Sequence, residues 1–117
     1  MADYILSCCS TADLSREHLN ARTIPYVCFH FFLNDEERID DLGISTPPKE
    51  LFDAIKAGAS ARTAQVNTDE YEAFFRPYLQ EGKDVLHVTL SSGISGTINS
   101  AQAAAAALRE EFPERKI

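Results

Sequence analysis

Asp84-Val-Leu-His-Val-Thr-Leu-Ser-Ser-Gly-Ile-Ser-Gly-Thr-Ile98 is the stretch that decides the fold. Asp84 to Ser91 reads as a strand with Leu86, Val88 and Leu90 on one face. Ser91 to Thr97 is a turn of small residues. From there to Phe112 runs a helix, whose Ala103 to Ala107 run has the highest helix propensity in the chain. Ile98, Ala101, Ala105, Leu108 and Phe112 line one side of it, and Pro113 stops it. In parallel sheets, ligands sit beyond the carboxyl ends of strands that run on into such turns. A helix N-terminus offers unpaired N–H groups and positive potential, which suits an anion. Gly93 and Gly96 let the backbone come close to a ligand, and Ser91, Ser92, Ser95 and Thr97 add hydroxyls. The same residues would equally serve to cap the helix and close a tight turn. No Gly-Lys-Ser/Thr follows, so this is not a Walker loop, and Gly93-Ile-Ser-Gly-Thr97 lacks the last glycine of the hydrolase elbow.

Upstream, strands and helices alternate. Tyr4 to Cys9 is a short apolar strand, and residues 15–20 form a short helix that Asp13 can cap. Pro25 opens a strand through Leu33 that is apolar on both faces, so both faces should be covered. Asn34-Asp35 is a turn signal, after which Glu37 to Asp40 could return as a ribbon. Thr46 is the expected cap of a helix over 47–57, with Pro47 in its first turn, Leu51, Phe52 and Ile55 as its stripe and Gly58 at its end. Residues 60–66 have no periodicity and read as a loop. Asn67 and Glu70 make a capping box for a helix over 68–80. Tyr71, Phe74, Phe75, Tyr78 and Leu79 face its core side, Pro77 should loosen its last turn, and Gly82 closes it. Arg115-Lys116-Ile117 looks like the start of another strand. The pattern predicts an α/β fold, a single domain with a mainly parallel sheet and helices packed on it. Strands 4–9, 26–33 and 84–91 should share that sheet.

The 117 residues can bury a modest core, and 44% hydrophobic with 25% charged residues is ordinary for a globular chain. No apolar run approaches the ~20 residues of a membrane helix, so no stable membrane insertion is expected. Asp3 stands where a signal peptide needs basic charge, and a cytoplasmic location is the expectation. A net charge of −7 with scattered basic residues argues against a nucleic-acid partner. Cys8, Cys9 and Cys28 are too few and too oddly placed for a disulfide scaffold, and read as small buried hydrophobes on strands. His18, His30 and His87 lie at no metal-ligand spacing, so neither metal nor cofactor is expected, and His87 should point from its strand into a polar niche. Ser60-Ala-Arg-Thr-Ala-Gln-Val66 is the second candidate segment, a polar loop held between two helices. Taken alone it reads as a solvated connector.

Together these segments resemble the DegV family of bacterial fatty-acid-binding proteins. Cys9-Ser-Thr-Ala-Asp-Leu14 is similar to that family's Asp-Ser-Thr-x-Asp-Leu, and Arg62-Thr-Ala-Gln-Val66 to its Thr-Ser-Gln-Pro stretch. Leu90-Ser-Ser-Gly-Ile-Ser-Gly-Thr97 looks like its Leu-Ser-Ser-x-Leu-Ser-Gly-Thr. Order and spacing agree as well. Cys9 stands where the family usually has Asp, Ala64 where it has Ser and Val66 where it has Pro. The resemblance implies an N-terminal α/β half followed by a second domain, with an acyl chain buried between them. It also implies a partner fatty acid kinase, an ATP-binding subunit that phosphorylates the carboxylate. On that analogy Thr63, Ser91, Ser92 and Gly93 would hold the carboxylate, with Arg62, Ser95, Gly96 and Ser10 beside them. No catalysis by the chain itself is implied. Without its second half, the chain is expected to self-associate, or to bind fatty acid much more weakly than the intact protein. Two other readings stay open: a dihydroxyacetone-kinase-like phosphotransferase domain, which would need a histidine near one of the two segments, and a structural domain with no ligand.

Overall fold

The structure is a computed structural model describing residues 3–117. In chain order it has β1 (Tyr4–Cys9), a 3-10 turn (Ser10–Ala12), α1 (Arg16–Ala21), β2 (Tyr26–Val27), β3 (His30–Leu33) and β4 (Glu36–Ile39). There follow α2 (Pro48–Lys56), β5 (Ala61–Ala64), α3 (Thr68–Gln80), β6 (Asp84–Val88) and α4 (Thr97–Glu111). The α/β class with a parallel sheet is as the sequence predicts.

β1 is the centre of a parallel sheet ordered β2-β1-β6. Ile5 pairs with Val85 and Ser7 with His87. Successive side chains of a strand point to opposite faces, so Ile5, Ser7, Cys9, Val85 and His87 share the face that meets the helices. There Tyr71, Phe75 and Leu79 of α3 and Ala101, Ala104 and Leu108 of α4 close the core with Cys9 and Val85. The expected face of β6 is the opposite one. Leu86 and Val88 remain 53% and 57% exposed, and only Leu90 packs against the core. The helices take the face of β6 that carries Val85 and His87, whose ring the aromatic side chains of α3 surround, so the more apolar face is the one left bare.

Residues 26–33 do not make one strand. β2 stays in the parallel sheet, and the chain then leaves it at Phe29, whose N–H donates to the Ser10 hydroxyl (3.0 Å) and whose carbonyl accepts from Asp40 N–H (2.8 Å). β3 enters a second sheet, antiparallel and ordered β4-β3-β5. The apolar pattern was shared between two sheets. Asn34 and Asp35 both have positive φ (51° and 65°), as a two-residue hairpin turn demands, so the ribbon after the turn forms. The segment read as a loop contains β5, which pairs Thr63 with Phe31 and Arg62 with Phe32. Its residues are mostly exposed, so no apolar alternation announces it; its pairing comes from β3.

Helix ends follow local chemistry. The Asn67–Glu70 capping box is present in full, and α3 continues through Pro77 to Gln80. Two expected caps move. Ser15, not Asp13, caps α1 by accepting from His18 N–H (3.1 Å), because the helix begins one residue later. Asp13 closes the 3-10 turn with a left-handed φ of 58°. At α2, Pro47 sits at the cap with no side-chain bond, and the Thr46 hydroxyl accepts from Arg38 instead. Among the described residues no helix is long and apolar enough to cross a membrane.

Candidate functional site

A cavity of about 570 Å³ lies between the antiparallel sheet, the 3-10 turn and α2. Its apolar walls include Phe29, Phe31, Leu51 and Phe52, and Ser10, Asp40, Arg62 and Thr63 supply polar groups. That size and mixture suit a small organic ligand. No residue of α2 is buried; Leu51 and Phe52 of its apolar stripe line this groove, and Ile55 is exposed outside it.

Thr63 is exposed on the groove wall, opposite Phe31. Arg62 lines the groove too, its guanidinium 3.9 Å from the centre of the Phe32 ring. Ser10 is already committed: it accepts from Phe29 N–H and donates to Asp40 Oδ2 (3.1 Å). It ties the two sheets together.

Ser91, Ser92, Gly93 and Ser95 do not line this groove. They form the turn that delivers the chain into α4. The Ser91 hydroxyl accepts from Gly93 N–H (3.1 Å), the Ser91 carbonyl accepts from Ile94 and Ser95, and the Ser95 hydroxyl accepts from Thr97 N–H (3.2 Å). Those two serines thus hold the turn, Ser95 by taking the amide of the first residue of α4, while the cap position itself is Gly96 with no side-chain bond. Ser92 is exposed and makes no hydrogen bond among the described residues. Gly96 links the turn to β5: a Cβ there would lie 3.0 Å from Gln65 Oε1, two residues beyond Thr63. The side chain that follows β5 and the Ser/Gly turn are therefore neighbours, and a Cβ at position 96 would require the Gln65 amide to shift slightly. Gln65 was not among the residues the sequence nominated.

The turn is also held from below. Cys9 Sγ lies 3.3 Å from both Tyr71 Oη and Thr89 Oγ1, and Tyr71 Oη is 3.0 Å from Thr97 Oγ1. His87 bridges Ser7 (2.8 Å) and Cys9 (3.5 Å), with the rings of Tyr71, Phe74 and Phe75 set edgewise around it. The predicted polar niche exists, but only at the ring nitrogens. Burial, then the Cys9 contact, pushes Tyr71 up to about 12. A buried tyrosine hydroxyl must find partners, a signal that a purely apolar reading of α3 passed over.

Burial also drives His87 down to about 4 from its ordinary 6.5. Between those pH values the unfolded imidazole binds a proton that the folded one refuses, so stability falls as pH drops through that window and is unaffected by this group above it. Denaturant titrations should show His87 contributing a loss of about 1 kcal/mol per pH unit there, and a His87→Gln variant should lack that component.

His30, remote in sequence from residues 60–66, pairs with Ala64 across β3 and β5 and lines the groove. Both its nitrogens face carboxylates: Nε2 lies 2.6 Å from Glu70 and Nδ1 3.4 Å from Glu37. Cys28 nearby is pushed up to about 11 by burial, with Asp40, Asp41 and Glu70 adding to it. All three cysteines are free thiols; Cys8 and Cys9 are buried strand residues, whereas Cys28 is half-buried between β2 and β3. Among the described residues no three His, Cys, Asp or Glu side chains are grouped as a metal ion would require.

An α/β domain with an apolar groove and an adjacent hydroxyl-rich helix entrance is a small-ligand-binding scaffold in form. Residues 9–117 match a family described as "Uncharacterised protein, DegV family", and the chain belongs to the DegV family. A DegV domain-containing protein of Clostridium perfringens is 28% identical over 117 residues, covering 100% of this chain and 40% of that protein. The chain thus spans about 40% of the length of that curated relative. A DegV family protein from Thermus thermophilus, described for fatty acid binding, superposes with a TM-score of 0.82 at 28% identity, covering 98% of this chain and 39% of that one. A stearic acid-binding protein from Eubacterium ventriosum has a TM-score of 0.85 at 23% identity, over 97% of this chain and 39% of its own, and shows the shared fold.

Proposed function

We propose that this chain is the N-terminal, carboxylate-gripping half of a non-catalytic carrier for a long-chain fatty acid. The observation that supports the reading is the closeness of the Gln65 side chain to Gly96 of the Ser/Gly turn, two residues beyond Thr63, which lines the apolar groove. The Thr63 and Ser92 hydroxyls make no hydrogen bond among the described residues, which would leave them free for a ligand. The first turn of α4 carries no acidic residue, whereas those of α2 and α3 do, so its positive end stays available to an anion. Ser91, Gly93, Ser95 and Gly96 would shape the turn, and Arg62 would add positive charge at the rim. The acyl tail would lie along Phe31, Leu51 and Phe52. The fatty-acid-binding relatives support the ligand class. By the family resemblance, a second domain would cover the tail, and a separate ATP-using kinase in the cytoplasm would phosphorylate the presented carboxylate. The polyol-phosphotransferase alternative needs an available histidine, and His30 has both nitrogens engaged.

Titration calorimetry with palmitate below its micelle concentration tests this. Thr63→Val and Ser92→Ala should each weaken binding about tenfold, the effect of one hydrogen bond to a charged group. Unchanged affinity in both variants would remove the carboxylate from this place.

A further inference from the structure

The Ser/Gly turn is suspended between Thr89, just past β6, and Thr97, the first residue of α4. Both threonine hydroxyls are tied to one buried cluster. Cys9 Sγ takes Thr89 at 3.3 Å, Tyr71 Oη takes Thr97 at 3.0 Å, and Cys9 and Tyr71 join each other at 3.3 Å. Thr97 and Tyr71 are both 0% exposed and Cys9 is 2% exposed. His87 approaches the same sulfur and is itself held by Ser7, which is fully buried. Every hydroxyl in this set can donate and accept at once, so Thr89, Cys9, Tyr71 and Thr97 form one polar chain, buried at Cys9, Tyr71 and Thr97 and half-buried at Thr89. Such chains fix one arrangement, because each unmade bond leaves a buried polar atom unpaired.

We infer that Cys9 and Tyr71 are positioning residues for the ligand turn, setting the distance between its two ends and hence the presentation of Ser92. The proposal rests on the fatty-acid reading for its consequence, but its geometry stands without a ligand. Neither residue touches the groove. Each acts through a threonine: Cys9 through Thr89 on the strand side, Tyr71 through Thr97 on the helix side. A hydroxyl at position 9 could keep the link to Thr89 and Tyr71, whereas an aliphatic side chain of similar volume could not.

The test is amide hydrogen exchange on the 117-residue chain, read at Gly93, Ile94, Ser95 and Thr97, together with palmitate titration. Tyr71→Phe and Cys9→Val should speed exchange in the turn about tenfold, leave mid-helix amides of α3 and α4 within twofold, and weaken palmitate by a similar factor. Cys9→Ser should keep both readouts near wild type. Unchanged turn exchange in Tyr71→Phe, or equal acceleration across α3, α4 and the turn, overturns the positioning role. If wild type binds no palmitate, the ligand reading falls, and turn exchange alone still decides for or against the positioning residues.

Discussion

Palmitate should bind this 117-residue chain roughly a thousandfold more weakly than it binds a relative carrying the whole family length. The groove is open to solvent along part of its length: Leu14, Ile39 and Phe52, which line it, are 40%, 42% and 58% exposed. A tail laid there keeps one side in water. Each methylene left wet forfeits ~0.8 kcal/mol, so five of them cost ~4 kcal/mol, which is about three decades in affinity. Titration of one acid into this chain and into the full-length Thermus thermophilus relative checks it. Equal affinities would mean that nothing beyond this span closes on the tail.

Self-association through the bare face of the parallel sheet is the second large effect expected. Tyr4, Leu6, Leu86 and Val88 stand on that face, and each is exposed. Parallel sheets are ordinarily covered on both sides, and contiguous apolar surface of this kind drives association. Burying one Leu or Val side chain is worth about 1.5–3 kcal/mol, so losing two per copy from a paired interface should raise the dissociation constant by several decades. Sedimentation velocity should show concentration-dependent oligomers for wild type and a monomer for Leu86→Glu/Val88→Glu. A monomeric wild type at high concentration would contradict it.

The elements with strong periodicity were legible in the sequence. Tyr71, Phe75 and Leu79 mark α3 and Ala101 and Leu108 mark α4, and the structure buries all five. β5 was not legible, because Ala61–Ala64 owes its strand to pairing with β3 rather than to any pattern of its own. The break at Cys28–Phe29 was invisible for a related reason: it is imposed by the Ser10 hydroxyl, nineteen residues away in the chain. For the site, composition pointed to the Ser/Gly turn but could not separate ligand contacts from caps. The hydrogen bonds divide them, with Ser91 and Ser95 spent inside the turn and Ser92 unspent. Gln65 stands in the sequence only as a matched position of the 62–66 segment, and the link between Cys9 and Tyr71 is not visible there, because both contacts are made across the fold. Cys9 had left one trace, its departure from the family's usual aspartate.

The most direct test of the central claim is an amide-shift titration of the ¹⁵N-labelled chain with palmitate, kept below its micelle concentration. The account predicts saturable shifts concentrated in residues 61–65 and 91–98, with smaller ones at Phe31 and along α2, and their loss in a Thr63→Val/Ser92→Ala variant. Shifts confined to the exposed face around Leu86 and Val88, or none at all up to the solubility limit, would contradict it.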